Sequence, residues 1–190
     1  MQFKKLLFFI ISIMVLLSGC GSKTEDNKTA EAEKKVFIKP EPKFKLTTAD
    51  STELNLEIRD MNLSVQEIKG KAILINFFGT WCPPCKAEIP HLINLKNKYK
   101  DNFEVIAVSV GDRNGKVVDP TEMKSFIEEY KINYIITNSE KNFKVADKMG
   151  GVRTIPTMFL FDPSGKLIQK YVGIVPEEMM ETDIKKALGL

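Results

Sequence analysis

The sequence predicts an α/β domain: a mixed central sheet with helices on both faces, preceded by a pair of N-terminal strands. Three observations predict it. Residues 72–78 and 103–110 are almost wholly apolar, as strands buried on both sides of a sheet are. Segments with apolar residues at helical spacing follow each of them. A turn signal, Asp162-Pro163-Ser164-Gly165, then joins two further strand-like runs into a hairpin.

The elements follow in chain order. Residues 44–46 and 54–58 alternate apolar and polar, the pattern of half-buried strands. Residues 65–70 read as a short turn of helix, and 72–78 as the central strand. Ile89, Leu92, Ile93 and Leu95 give 83–99 one apolar helical stripe. The second buried strand is 103–110. Pro120 suits the first turn of a helix over 120–130. A short strand is expected at 134–137, then a helix over 142–149 ended by Gly150-Gly151. Strands at 157–161 and 166–172 flank the hairpin turn, and 176–188 is a terminal helix. The order supports a sheet layered between helices.

The first 42 residues stand apart from this domain. Lys4 and Lys5 precede an apolar run over 6–17, shorter than the ~20 residues that cross a bilayer as a helix. Residues 1–19 therefore read as an export signal. Leu17-Ser18-Gly19-Cys20 resembles the lipobox of bacterial lipoproteins, whose Cys is acylated and begins the mature chain. The alternative is an ordinary cleaved signal with an incidental Cys. Residues 20–42 are rich in Lys, Glu, Thr and Ala and poor in large apolar residues, which predicts a flexible tether to the membrane. The domain occupies 43–190. Loss of Lys4 and Lys5 with the leader lowers the formal net charge of +3 by two, which removes any electrostatic case for nucleic acid.

With Cys20 assigned to lipid, the remaining cysteines are Cys82 and Cys85. A bridge between them closes a very short loop and restrains the unfolded chain little. Redox chemistry explains such a pair better than structural stapling does. Half a zinc site is the competing reading. Zinc takes about four ligands, and the domain offers no further Cys and only His91, badly placed on the same helix. No metal or other cofactor is expected. Cys82 falls where a buried strand gives way to a helix, and free N–H groups and the helix dipole there favour a thiolate. Cys85 lies one turn in, on the same face. Pro83 and Pro84 stiffen the loop and remove two N–H donors.

Residues 72–90, which carry Asn76 and Trp81-Cys82-Pro83-Pro84-Cys85-Lys86-Ala87-Glu88-Ile89-Pro90, resemble the active-site segment of the thioredoxin superfamily. Gly151-Val152-Arg153-Thr154-Ile155-Pro156-Thr157 resembles its second signature. The similarity spans 43–190 and implies a thioredoxin-like fold with a cis Ile155–Pro156 bond beside the cysteines. The Ile155 backbone would then pair with a substrate strand. Within the superfamily, the chain is most similar to membrane-anchored, extracytoplasmic reductases of the TlpA/ResA type. The marks are Glu88 after Cys85, Asn76 where cytosolic thioredoxins carry Asp, and the early strand pair behind an export signal.

This resemblance implies that Cys82 attacks a partner disulfide and that Cys85 resolves the mixed disulfide. It implies a proton-shuttling, pKa-tuning role for Glu88, with a helix-supporting surface carboxylate as the alternative. Trp81 either shields the disulfide or simply packs. Pro90 is expected to kink the helix, Lys86 to be solvated, His91 to lie on the helix surface, and Met179-Met180 to pack the terminal helix. The implied partners are disulfide-containing exported proteins, apocytochrome c among them, and a transmembrane thiol carrier as electron donor. The implied place is the outer side of a bacterial cell membrane.

Competing functions are an oxidase or isomerase of the same fold, or a binding lipoprotein without redox chemistry. Dsb-type oxidases carry a large helical insertion between the two signatures, whereas the stretch from Cys85 to Pro156 is already filled by βα elements. The Thr-x-x-Cys of thiol peroxidases is absent.

Overall fold

The computed structural model describes residues 43–190. The expected leader, Cys20 and tether lie outside the described residues. Twelve elements follow in order: β1 (Lys43–Thr47), β2 (Glu53–Arg59), β3 (Asn62–Val65), β4 (Ala72–Phe78), α1 (Pro83–Lys98), β5 (Phe103–Ser109), α2 (Pro120–Tyr130), β6 (Ile135–Thr137), α3 (Lys141–Lys148), β7 (Thr157–Phe161), β8 (Leu167–Val172) and α4 (Glu177–Leu188).

Five strands form the central sheet in the order β6-β5-β4-β7-β8. β4 pairs parallel with β5 and antiparallel with β7, so it has a neighbour on each side and every residue of it is buried. That double coverage is why its sequence is a continuous apolar run rather than an alternation. Successive residues still point to opposite faces. Ile73, Ile75 and Phe77 join Ile106, Val108, Phe159 and Phe161 on one face, with Val145, Ala146 and Met149 of the α3 region. Leu74, Val105, Met158 and Leu160 meet Leu92 and Leu95 of α1 and Met180 and Ile184 of α4 on the other. Phe78, Ala107 and Ile136 continue that second face under α1 and α2, with Cys82, Cys85, Met123 and Phe126.

The N-terminal strands correct one expectation. They are three, not two: β1, β2 and β3 form an antiparallel sheet of their own, and its buried side (Phe44, Leu46, Leu54, Leu56, Ile58, Leu63, Val65) joins the α3 face of the core. β2 and β3 are linked by Asp60 and Met61, both with positive φ (48° and 61°). This is the two-residue hairpin geometry that usually carries Asn-Gly, so the sequence lacks the usual signal for it. Residues 66–70 are accordingly a turn rather than helix: Glu67 accepts hydrogen bonds from the Asn55 N–H (3.0 Å) and Nδ2 (2.6 Å) and holds the turn to β2. The small sheet is fastened to the main hairpin where Leu63 N–H donates to the Gly165 carbonyl at 2.8 Å. Gly165 has φ +87°, and a Cβ there would fall 2.0 Å from the Leu63 carbonyl oxygen, so only glycine fits.

A second correction concerns Met179-Met180. Met180 packs the core at 1% exposure, whereas Met179 is 54% exposed. Other element boundaries match the expected ones or differ by a single residue at an end. Among the described residues no helix is long and apolar enough to cross a membrane.

Candidate active site

The site begins where β4 ends. Past Phe78 the chain turns through Gly79, Thr80 and Trp81, and the Cys82 N–H closes this turn on the Gly79 carbonyl at 3.1 Å. Cys82 is the N-cap of α1, with extended backbone angles (φ −93°, ψ 107°). Its Sγ takes the place of a capping oxygen: it accepts the Cys85 N–H at 3.2 Å. Pro83 and Pro84 have no N–H, so the first turn aims one backbone donor at the sulfur where an ordinary helix offers several. Cys82 and Cys85 are joined by a disulfide with Cα atoms 5.3 Å apart. Both cysteines are covered in this oxidised state: Cys82 is 4% and Cys85 2% exposed. The cover comes from the segments around Trp81, Ile155 and Pro156.

The Ile155–Pro156 bond is cis, as expected. The Ile155 carbonyl oxygen lies 3.8 Å from Cys82 Sγ, and Pro156 is buried. The second signature thus meets the first. Trp81 is fixed from the other side. Its Nε1 donates to the Gly111 carbonyl at 3.0 Å, and Arg113 lies over its ring, 5.2 Å from the centroid. Gly79 leaves room for this indole, since a Cβ there would stand 2.9 Å from Trp81 Nε1 and 3.3 Å from Ile155 Cδ1.

Glu88 settles inside, not on the surface: it is 0% exposed. Its Oε2 accepts the Val175 N–H at 3.2 Å, from the segment between β8 and α4. Its Oε1 lies 3.8 Å from His91 Nδ1, and neither of those two atoms has a hydrogen-bond partner among the described residues. Burial pushes the Glu88 carboxyl above the usual range, against the pull of the Val175 N–H and His91. Tyr134 is raised as well, first by burial and then by the Glu88 charge. Asn76 is buried in β4, and its Oδ1 has no partner among the described residues. Lys86 sits over the Tyr130 ring at 5.7 Å and is half-buried, so it is not simply solvated. Pro90 lies within α1.

Three participants were not legible beforehand: Arg113, Val175 and Tyr134. Arg113 had one available signal. It lies in the loop after β5, the parallel neighbour of β4, and loops at the carboxyl ends of adjacent parallel strands meet. Val175 contributes a main-chain N–H, which no residue type announces.

Comparison with known proteins agrees with this geometry. The family model described as Redoxin matches residues 39–188. The chain belongs to the redoxin family. Within it, this redoxin is a TlpA/ResA-like member of the thioredoxin superfamily. It is 30% identical over 189 residues to the thiol-disulfide oxidoreductase ResA of Bacillus cereus (strain ZK / E33L), covering 98% of both chains. It is 31% identical over 131 residues to ResA of Bacillus subtilis (strain 168), covering 66% of this chain and 68% of that one. Among solved structures, a thiol:disulfide interchange protein of the thioredoxin family from Chlorobium tepidum TLS superposes with a TM-score of 0.63 at 26% identity, over 79% of this chain and 96% of that one. StoA from Bacillus subtilis shares the fold, with a TM-score of 0.57 at 21% identity over 76% and 98% of the two chains. This redoxin is a thiol–disulfide oxidoreductase, and Cys82–Cys85 is its redox-active pair.

Proposed function

We propose that this redoxin reduces disulfides in exported proteins outside the cytosol, apocytochrome c among them. The observation that carries this reading is the disulfide at the start of α1, with the Ile155 carbonyl at 3.8 Å and the buried Glu88 one turn beyond Cys85. In the reduced enzyme the Cys82 thiolate attacks a substrate disulfide, and one substrate thiolate leaves. The Cys85 thiol gives its proton to the Glu88 carboxylate. The resulting Cys85 thiolate attacks Cys82 Sγ, the bond to substrate breaks, and the second substrate thiolate leaves. Two electrons pass to the substrate and the Cys82–Cys85 disulfide remains. Pro156, Ile155 and Trp81 form the surface against which the substrate strand lies, and the Ile155 backbone offers hydrogen bonds to it.

The leader-like first 19 residues and the lipobox-like Cys20 support export and lipid anchoring, with 20–42 as the tether. Each buried lipid CH₂ contributes ~0.8 kcal/mol, so more than one acyl chain at Cys20 holds the protein stably. An oxidising compartment requires a supply of electrons, which a transmembrane thiol carrier provides.

The test is the reduction potential of the Cys82–Cys85 pair in the full chain, with insulin reduction as the activity assay. A potential near the thioredoxin value of about −270 mV supports the reductant, and one near the DsbA value of about −120 mV overturns it. Cys82→Ser abolishes turnover, and Cys85→Ser traps a mixed disulfide with the substrate. Labelling with a palmitate analogue reads the anchor, and label that persists in Cys20→Ala overturns that part.

A further inference from the structure

Two polar atoms face each other with nothing else to bond among the described residues: Glu88 Oε1 and His91 Nδ1, 3.8 Å apart and both buried. A buried polar atom without a partner keeps the desolvation penalty unrepaid, so one such pair is a standing cost to the fold. Its position suggests what the cost serves. Glu88 has no exposed surface, and its other oxygen is occupied by the Val175 N–H, a donor with no proton to give up. Tyr134, just before β6, has its phenol pushed up by burial and then by the Glu88 charge, so it is no proton donor to this carboxylate. Glu177, at the start of α4, bonds Asn94 rather than this cluster. The remaining titratable neighbour is His91, one turn further along α1, whose side chain is 34% exposed. The imidazole therefore has one nitrogen turned to the carboxylate and part of its ring in water.

We propose that His91 is the proton port of Glu88, a relay that carries protons between the buried carboxylate and solvent during dithiol–disulfide exchange. This rests on the reading of Glu88 as the base for Cys85. When Cys85 gives its proton to Glu88, the neutral acid passes it to His91 Nδ1. The imidazolium releases a proton to water, and the carboxylate is restored for the next turnover. No electrons move in these steps, and one proton leaves for each Cys85 thiol consumed. Imidazole suits the task because one ring nitrogen can take up a proton while the other gives one to water. The 3.8 Å gap closes by a small side-chain rotation or through a bridging water. His91 touches no reacting sulfur and acts through Glu88, so it is a positioning and relay residue.

The experiment uses the reduced full chain carrying Cys20→Ala, mixed with 5,5′-dithiobis(2-nitrobenzoate) in a stopped-flow cell. Attack by Cys82 releases one thionitrobenzoate, and resolution by Cys85 releases the second. The second phase is the readout, followed from pH 5 to pH 9. His91→Ala is expected to slow that phase by roughly a hundredfold, the lower end of what acid–base assistance supplies, and to leave the first phase unchanged. Added imidazole is expected to restore the rate in His91→Ala and to do nothing for Glu88→Gln. A wild-type second phase across the pH range in His91→Ala overturns the relay, as does a slow phase that imidazole leaves slow. A wild-type second phase in Glu88→Gln instead overturns the underlying role of Glu88. His91→Gln, a planar polar side chain without a titrating nitrogen, gives the same readings if the alanine variant does not fold.

Discussion

The guanidinium of Arg113 lies 5.2 Å from the centroid of the Trp81 ring and directs an Nη toward the Trp81 carbonyl at 3.5 Å. The residue before Cys82 is thereby clamped by the loop that follows a neighbouring strand. A cation over an indole at an exposed site contributes ~0.5–1 kcal/mol. Arg113→Ala is expected to cost about that much stability and to shift the emission of Trp81, the one tryptophan of the chain. Unchanged fluorescence in both redox states would show that the clamp does not hold the indole.

Gly79 makes the complementary case from the other side of the ring. Its Cβ would stand 2.9 Å from Trp81 Nε1, and the indole would have to move away from the Gly111 carbonyl. Gly79→Ala is expected to cost roughly 1–3 kcal/mol, as overpacking does. Insulin reduction should slow because the cover over the disulfide shifts. A variant with wild-type activity and emission argues against any positional demand on Trp81.

The pH dependence of stability follows from Glu88. Its folded-state pKa is raised by burial, so its contribution is fully present below the unfolded value and is lost as pH rises through the folded value. Glu88→Gln keeps an acceptor for the Val175 N–H and removes the titration. Thermal melts of the oxidised variant should therefore gain on wild type as pH is raised from 4 to 8. A difference constant across that range contradicts the assigned direction.

Glu181 has the opposite sign. Lys185, Lys98 and Tyr99 hydrogen-bond its carboxylate and hold its pKa down to about 2. The cluster ties α1 to α4, with Lys98 Nζ and Tyr99 Oη at 2.9 and 3.0 Å from the carboxylate. A lowered pKa contributes stability above the unfolded carboxyl value and loses it as pH falls through about 2. Glu181→Gln should melt earlier than wild type at pH 7 and match it by pH 2. Salt should narrow the gap at pH 7, since the cluster lies at the surface.

Much of the architecture was legible because periodicity reports burial. The unbroken apolar runs of β4 and β5 identify strands with neighbours on both sides, and the alternation in β1 and β2 identifies a sheet with one dry face. β3 was hidden because Asp60-Met61 adopts a left-handed hairpin turn without the glycine that usually marks one. Met179 and Met180 illustrate the same limit: adjacent residues on a helix point in different directions, and composition does not say which one meets the core.

The sequence by itself determined the chemistry: Cys82 and Cys85 at the junction of a buried strand and a helix, two prolines between them, and Glu88 one turn beyond. These are local facts, set by spacing along one helix. What the tertiary structure decided is the environment of those groups. Glu88 is buried because Val175, 87 residues away, closes over it and donates to it, and Cys82 is covered because Ile155 arrives from 73 residues away. His91 neighbours Glu88 by spacing along α1, but the tertiary cover is what makes that neighbour a buried carboxylate. Spacing fixes what lies on one face of a helix. Which distant segment covers that face depends on strand order and loop path, and it is this cover that sets burial, proton access and pKa.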